Sequence, residues 1–165
     1  MNSSQKFGAL SALVYFGIAY VLVTVLAATL TITYGALYAL PEPAPGFSIL
    51  EAPAFVATVP YHVLIMLLVW PVVAWLYFRK RRMEGPTQER RETWLLGWLW
   101  LVSAIVVDFV GFVLIKNPWS MTAYEFYVVY QPWITLIYLS IFLGPWIRLG
   151  LSRLQARPRD DYLAR

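Results

Sequence analysis

The chain contains no cysteine and a single histidine. Without cysteine there is no disulfide scaffold, thiolate zinc site, iron–sulfur cluster, thiol nucleophile or thioredoxin-like redox pair. One histidine excludes bis-His haem ligation by a single chain and three-His metal sites. Charge is also scarce: 13% of residues are Asp, Glu, Lys or Arg, where a soluble globular chain carries about 25%. So little charge cannot cover a water-facing surface, which excludes a soluble enzyme, a nucleic-acid-binding domain and a disordered tail. Glycine-rich phosphate loops, HExxH and Walker patterns are absent. No repeat relates the two halves, so an inverted-repeat transporter is not supported.

What the chain does have is apolar residues, at 60% of the total, with 17% aromatic and a mean hydropathy of +0.61. A helix crosses about 30 Å of hydrocarbon with about 20 apolar residues. Four stretches of the 165 residues qualify, at 7–40, 55–78, 94–115 and 124–149. The first is long enough to tilt or project before Pro41 stops it. It is about twice the length of a signal-peptide core, so the expectation is a retained helix despite the small-residue run Ala36-Leu37-Tyr38-Ala39.

Positive residues near span ends stay cytoplasmic. With the N-terminus inside, Lys6, the loop residues Arg79, Lys80, Arg81, Arg82, Arg90 and Arg91, and Arg148, Arg153, Arg157, Arg159 and Arg165 all fall on one side, leaving Lys116 alone outside. The fold class expected is therefore an all-α integral membrane protein, an antiparallel four-transmembrane-helix bundle with both termini cytoplasmic (N-in/C-in). Residues 1–150 form its single domain and 151–165 a polar tail. A bacterial-type plasma membrane is the expected location. Arg79, Lys80, Arg81 and Arg82 act first as the topology determinant. The same cluster suits anionic lipid headgroups, at about 1 kcal/mol per basic residue near a charged leaflet.

Ionisable side chains within a span are costly and normally face the bundle interior. Asp108 is the one acidic residue deep inside a span. Counting from the expected helix ends places Asp108, His62 and Gln131 each about seven residues, or roughly 10 Å, below the outer surface. Three helices would then offer Asp, His and Gln to one polar layer. Helical spacing adds to it. Tyr127, Gln131, Thr135 and Tyr138 share one face of the fourth span, and Thr58, His62 and Met66 one face of the second. Tyr20, Thr24, Thr31 and Tyr38 form a looser stripe on the first. Pro60 and Pro132 each remove a backbone hydrogen bond next to this layer. Thr122 and Glu125, three residues apart, have the spacing of a capping box, while Glu125 also lies where it could line a mouth.

His62, Asp108, Gln131, Tyr127, Thr135 and Glu125 are thus the candidates for binding a ligand or proton. Two chemistries suit them: an interhelical polar cluster that fixes helix register, or a site for a proton or solute reached from outside. No catalytic constellation is legible, since Ser103 and Ser140 lack any motif context, and no cofactor or metal is implied. The expectation is a non-enzymatic multi-pass protein, an accessory or interaction subunit. A small proton-coupled carrier and a lipid- or quinone-handling enzyme are the alternatives. Membrane lipids, a membrane protein partner or further copies of the chain are the expected partners, and nucleic acid is not.

Overall fold

The computed structural model describes residues 3–41, 48–81, 83, 85–116 and 120–163, with side chains from residue 8 to residue 155. Among these residues the chain is helical throughout, without strands. α1 spans Ser3–Leu37, α2 Pro53–Arg79, α3 Pro86–Asp108 and α4 Trp133–Leu163. All four are long and apolar enough to cross a membrane. A single 3-10 turn, Ile49–Glu51, leads into α2, with Ser48 as its cap. α3 continues into a π turn at Phe109–Leu114, and a second π turn, Glu125–Val129, precedes α4.

Three boundaries differ from the sequence expectation, the first two for a local reason. α3 begins at Pro86 rather than near residue 94. Proline at the first helical position loses no bond it would have made, and Gly85 before it takes φ of 152°, a left-handed value that favours glycine. The polar segment added to α3 is held by its own pairs. Thr93 donates to the Glu89 carbonyl at 2.8 Å, Glu92 pairs with Arg81 at 2.7 Å, and Glu89 pairs with Arg148. The fourth span, expected to run unbroken from 124, is interrupted after Val129. Pro132 has no N–H to donate into the preceding turn, and α4 starts only at Trp133. The helix then runs on to Leu163, so the expected polar tail is helical as far as that residue.

α1 packs on α2, α2 on α4, α4 on α3 and, more sparsely, α3 on α1. Small residues make the approach close, as helix contacts in lipid require. A Cβ added to Gly144 of α4 would lie 2.6 Å from the Cβ of Trp70 on α2, and one added to Gly97 of α3 would lie 3.0 Å from the Phe142 carbonyl oxygen on α4. Ala12, Phe16, Ala19 and Val23 bury one stripe of α1 at intervals of four, three and four residues. Trp70 and Trp100 sit fully buried in the centre, their rings 5.2 Å apart. The Trp100 indole N–H donates to the Ala12 carbonyl at 2.9 Å, which satisfies its one polar atom.

The basic residues gather where α2 ends and α3 begins. Arg81 bonds the Tyr77 hydroxyl at 2.5 Å, and that hydroxyl bonds Glu92 at 2.6 Å. Arg148 lies 4.3 Å over the Phe78 ring, Arg79 lies 5.2 Å from the Trp75 ring and Lys80 5.9 Å from that of Tyr15. Arg82 falls outside the described residues.

Candidate functional site

One face of α1 presents Tyr20, Thr24, Ala27 and Thr31 in turn, at the three- and four-residue intervals that keep side chains on one side of a helix. Two polar groups are built against this face.

At the first, the Tyr20 hydroxyl donates to Asp108 Oδ1 at 2.5 Å. Asp108 is 7% exposed and is the last residue of α3 before the π turn. Tyr138 of α4, and Tyr130 just before that helix, lie within electrostatic reach of the same carboxyl group. The Tyr138 hydroxyl is buried and has no bond of ordinary geometry. A lone carboxyl group inside an apolar fold is thus bonded by Tyr20 and flanked by two further tyrosines, which bring hydroxyls near it without adding charge.

At the second, His62 of α2 is 6% exposed. Its Nε2 lies 3.0 Å from the Thr31 hydroxyl, which lies 2.8 Å from that of Thr58. Thr58 in turn donates to the Ala54 carbonyl at 2.8 Å. The Ala27 carbonyl, which can only accept, also faces the imidazole. Following the protons from that end, Thr58 gives its hydrogen to Ala54, Thr31 to Thr58, and His62 Nε2–H to Thr31. We assign the ring tautomer on that basis.

The two groups are separate. Tyr20 and Thr31 stand eleven residues apart on α1, about 16 Å along its axis, and no Asp108–His62 ion pair occurs among the described residues. Between them lies a cavity of about 520 Å³, walled by all four helices and by the loop residues Ile49 and Met121. Its walls are almost wholly apolar, with Val23, Met66, Ile134 and Ile137 among them. Thr24, Ala28 and Ile32 line it and remain exposed, so it opens sideways past α1.

The other candidates lie apart from this cavity. Gln131 is exposed, donates to the Tyr127 carbonyl at 3.1 Å and accepts from Thr135 at 2.7 Å, both along its own segment. Tyr127 stacks edge-on against Phe126 and lies within electrostatic reach of Tyr138. Glu125 accepts from the Thr122 N–H at 2.7 Å and the Thr122 hydroxyl at 2.8 Å, while its own N–H reaches Thr122 Oγ1 at 3.2 Å. This is a capping box. The two Thr122 donors hold the Glu125 carboxyl below its ordinary value. Glu125 and Gln131 also line a smaller pocket of about 340 Å³ with Glu51 and Ser48. Ser140 donates to the Leu136 carbonyl at 2.7 Å within α4.

Spacing on α1 and α2 had already set Tyr20, Thr31 and Thr58 beside the candidates. Tyr130, which the sequence sets beside Tyr127 as a hydrogen-bond partner for a lipid or quinone headgroup, follows the π turn and lines the cavity. The cavity itself has a faint signature, the small pair Ala27 and Ala28 between polar positions. No protein-family model matches the chain, and neither a curated protein nor a solved structure shows significant similarity to it.

Proposed function

We propose that this is a non-enzymatic, multi-pass membrane protein that holds a small, largely apolar molecule between its helices, and that it acts as an accessory or interaction subunit. In this reading the four spans form an antiparallel bundle in a bacterial-type plasma membrane. Both termini and the Arg79–Lys80–Arg81 cluster face the cytoplasm, and the cavity opens within the outer half. The Lys and Arg distribution supports the orientation. The observation that carries the ligand reading is the cavity: at about 520 Å³ it falls in the range of ligand pockets, about 300–1,000 Å³, and combines apolar walls with a few convergent polar groups as such pockets do. Little described chain lies outside the spans, so a protein partner would be met within the membrane or at the basic end.

A second reading, a small proton-coupled carrier, is favoured by one feature. Asp108 stands in the cavity wall with Tyr20 beside it, and carboxyl groups at such depth commonly mark ion or proton paths.

A thermal-shift survey of the purified protein against membrane-soluble compounds tests ligand holding. A molecule that binds only the folded state, at about 100 times its Kd, stabilises by about 2.7 kcal/mol. The reading expects compounds that raise Tm in the native chain and not in Ala28→Trp, which sets an indole at the opening of the cavity. Shifts of equal size in both proteins, or none in the native chain, contradict it.

A further inference from the structure

We propose that the cavity is a binding site for lipophilic cations, organic amines or onium ions whose positive centre pairs with Asp108 and whose apolar body lies along α1 toward Thr31. This rests on the ligand-holding reading above and names the chemistry it would serve.

Charge is the first reason. Asp108 is the one acidic side chain lining the cavity, and no Lys or Arg lines it among the described residues. An anionic molecule would find no countercharge there and would face the carboxyl group. A cation would supply the charge that the site lacks, in surroundings too apolar for water to screen the pair. Tyr20 occupies part of one carboxyl oxygen, and a carboxylate offers about four acceptor positions, so acceptor capacity remains.

The rings are the second reason. Tyr20, Tyr130, Phe112, Phe126 and Trp70 line the same space, and Tyr130 lies close enough to interact with Asp108. Aromatic faces attract cations, most strongly where both are desolvated. A neutral ligand would gain only the apolar contact from these walls.

Access is the third reason. Thr24, Ala28 and Ile32 are exposed on the side of α1 through which the cavity opens, and α1 meets α3 only sparsely. The opening lies within the membrane-spanning part of the helix. Molecules dissolved in the bilayer reach it without crossing water, which admits ligands with a large apolar body, and Asp108 then favours those that also carry positive charge.

The test uses two ions of the same shape and opposite charge, tetraphenylphosphonium and tetraphenylborate, with the full chain in lipid nanodiscs and radiolabelled ligand. The site predicts saturable binding of tetraphenylphosphonium and none of tetraphenylborate. In Asp108→Asn, affinity for the cation should fall by about tenfold or more, and Asp108→Glu should retain it. Equal binding of the two ions by the native chain would show an indifferent apolar slot, overturning the cation inference while leaving ligand holding intact. Unchanged affinity in a folded Asp108→Asn would overturn it too. If neither ion binds, the inference fails, and the Tm survey decides separately whether the cavity holds anything. The charge comparison in the native chain needs no variant, so it stands even where Asp108→Asn does not fold.

Discussion

Tyr20 and Asp108 join α1 to α3 through one hydrogen bond of 2.5 Å, across the sparsest of the four helix contacts. A bond to a carboxyl group in an apolar interior has no water to replace it, yet helix pairs in membranes gain only about 1–2 kcal/mol from such bonds. A double-mutant cycle of Tyr20→Phe and Asp108→Asn should therefore give a coupling of about 1–2 kcal/mol in denaturant unfolding. Strictly additive losses would mean that the two side chains do not support one another.

Gly144 and Trp70 set the distance between α2 and α4. Gly144→Ala places a Cβ 2.6 Å from the Trp70 Cβ, and neither atom can swing away. The helices must part, at a cost of about 1–3 kcal/mol typical of overpacking. Gly150→Ala on the same helix meets nothing within 4 Å and should be neutral or slightly stabilising, because alanine favours helix over glycine. Tm values of the two variants in one detergent make the comparison, and equal values would remove Gly144 from the packing.

Glu125 caps its turn through Thr122, and its carboxyl is held below the ordinary value of 4.5. A depressed value means that the cap contributes fully above the unfolded value and is lost as pH falls through the folded one. The Tm difference between the native chain and Glu125→Gln should be constant from neutral pH to about 5 and shrink below about 4. Thr122→Ala should cost about 1 kcal/mol. A difference that grows on acidification would contradict the cap.

Because the chain has no cysteine, single replacements report topology without background. Tyr124 and Thr87 are both exposed, at opposite ends of the spans. In intact cells a membrane-impermeant maleimide should label Tyr124→Cys and leave Thr87→Cys unlabelled until the cells are opened. The opposite pattern would invert the proposed orientation.

The four helices were legible because each apolar run is long and each break carries proline or charge, signals that do not depend on tertiary packing. Their ends were less so. The polar start of α3 reads as loop until Glu89 and Glu92 are seen paired with Arg148 and Arg81, residues distant in sequence. Depth counting is limited for the same reason. It set Asp108, His62 and Gln131 in one layer; Asp108 and His62 line one cavity but bond α1 at different positions, Tyr20 and Thr31, and Gln131 turns to Thr135. Equal distances from helix ends give equal depths only if the helices end together, and π turns beside Asp108 and before Pro132 change the rise per residue. The cavity depends on where side chains fail to meet, which no pattern along one chain records.

Native mass spectrometry of the protein, extracted in mild detergent from its own membrane, tests ligand holding most directly. The native chain should carry an added mass of small-molecule size, and Ala28→Trp, with an unchanged far-UV circular-dichroism spectrum, should fly without it. A bare mass for the native chain, or the same added mass on both proteins, would contradict a ligand between the helices.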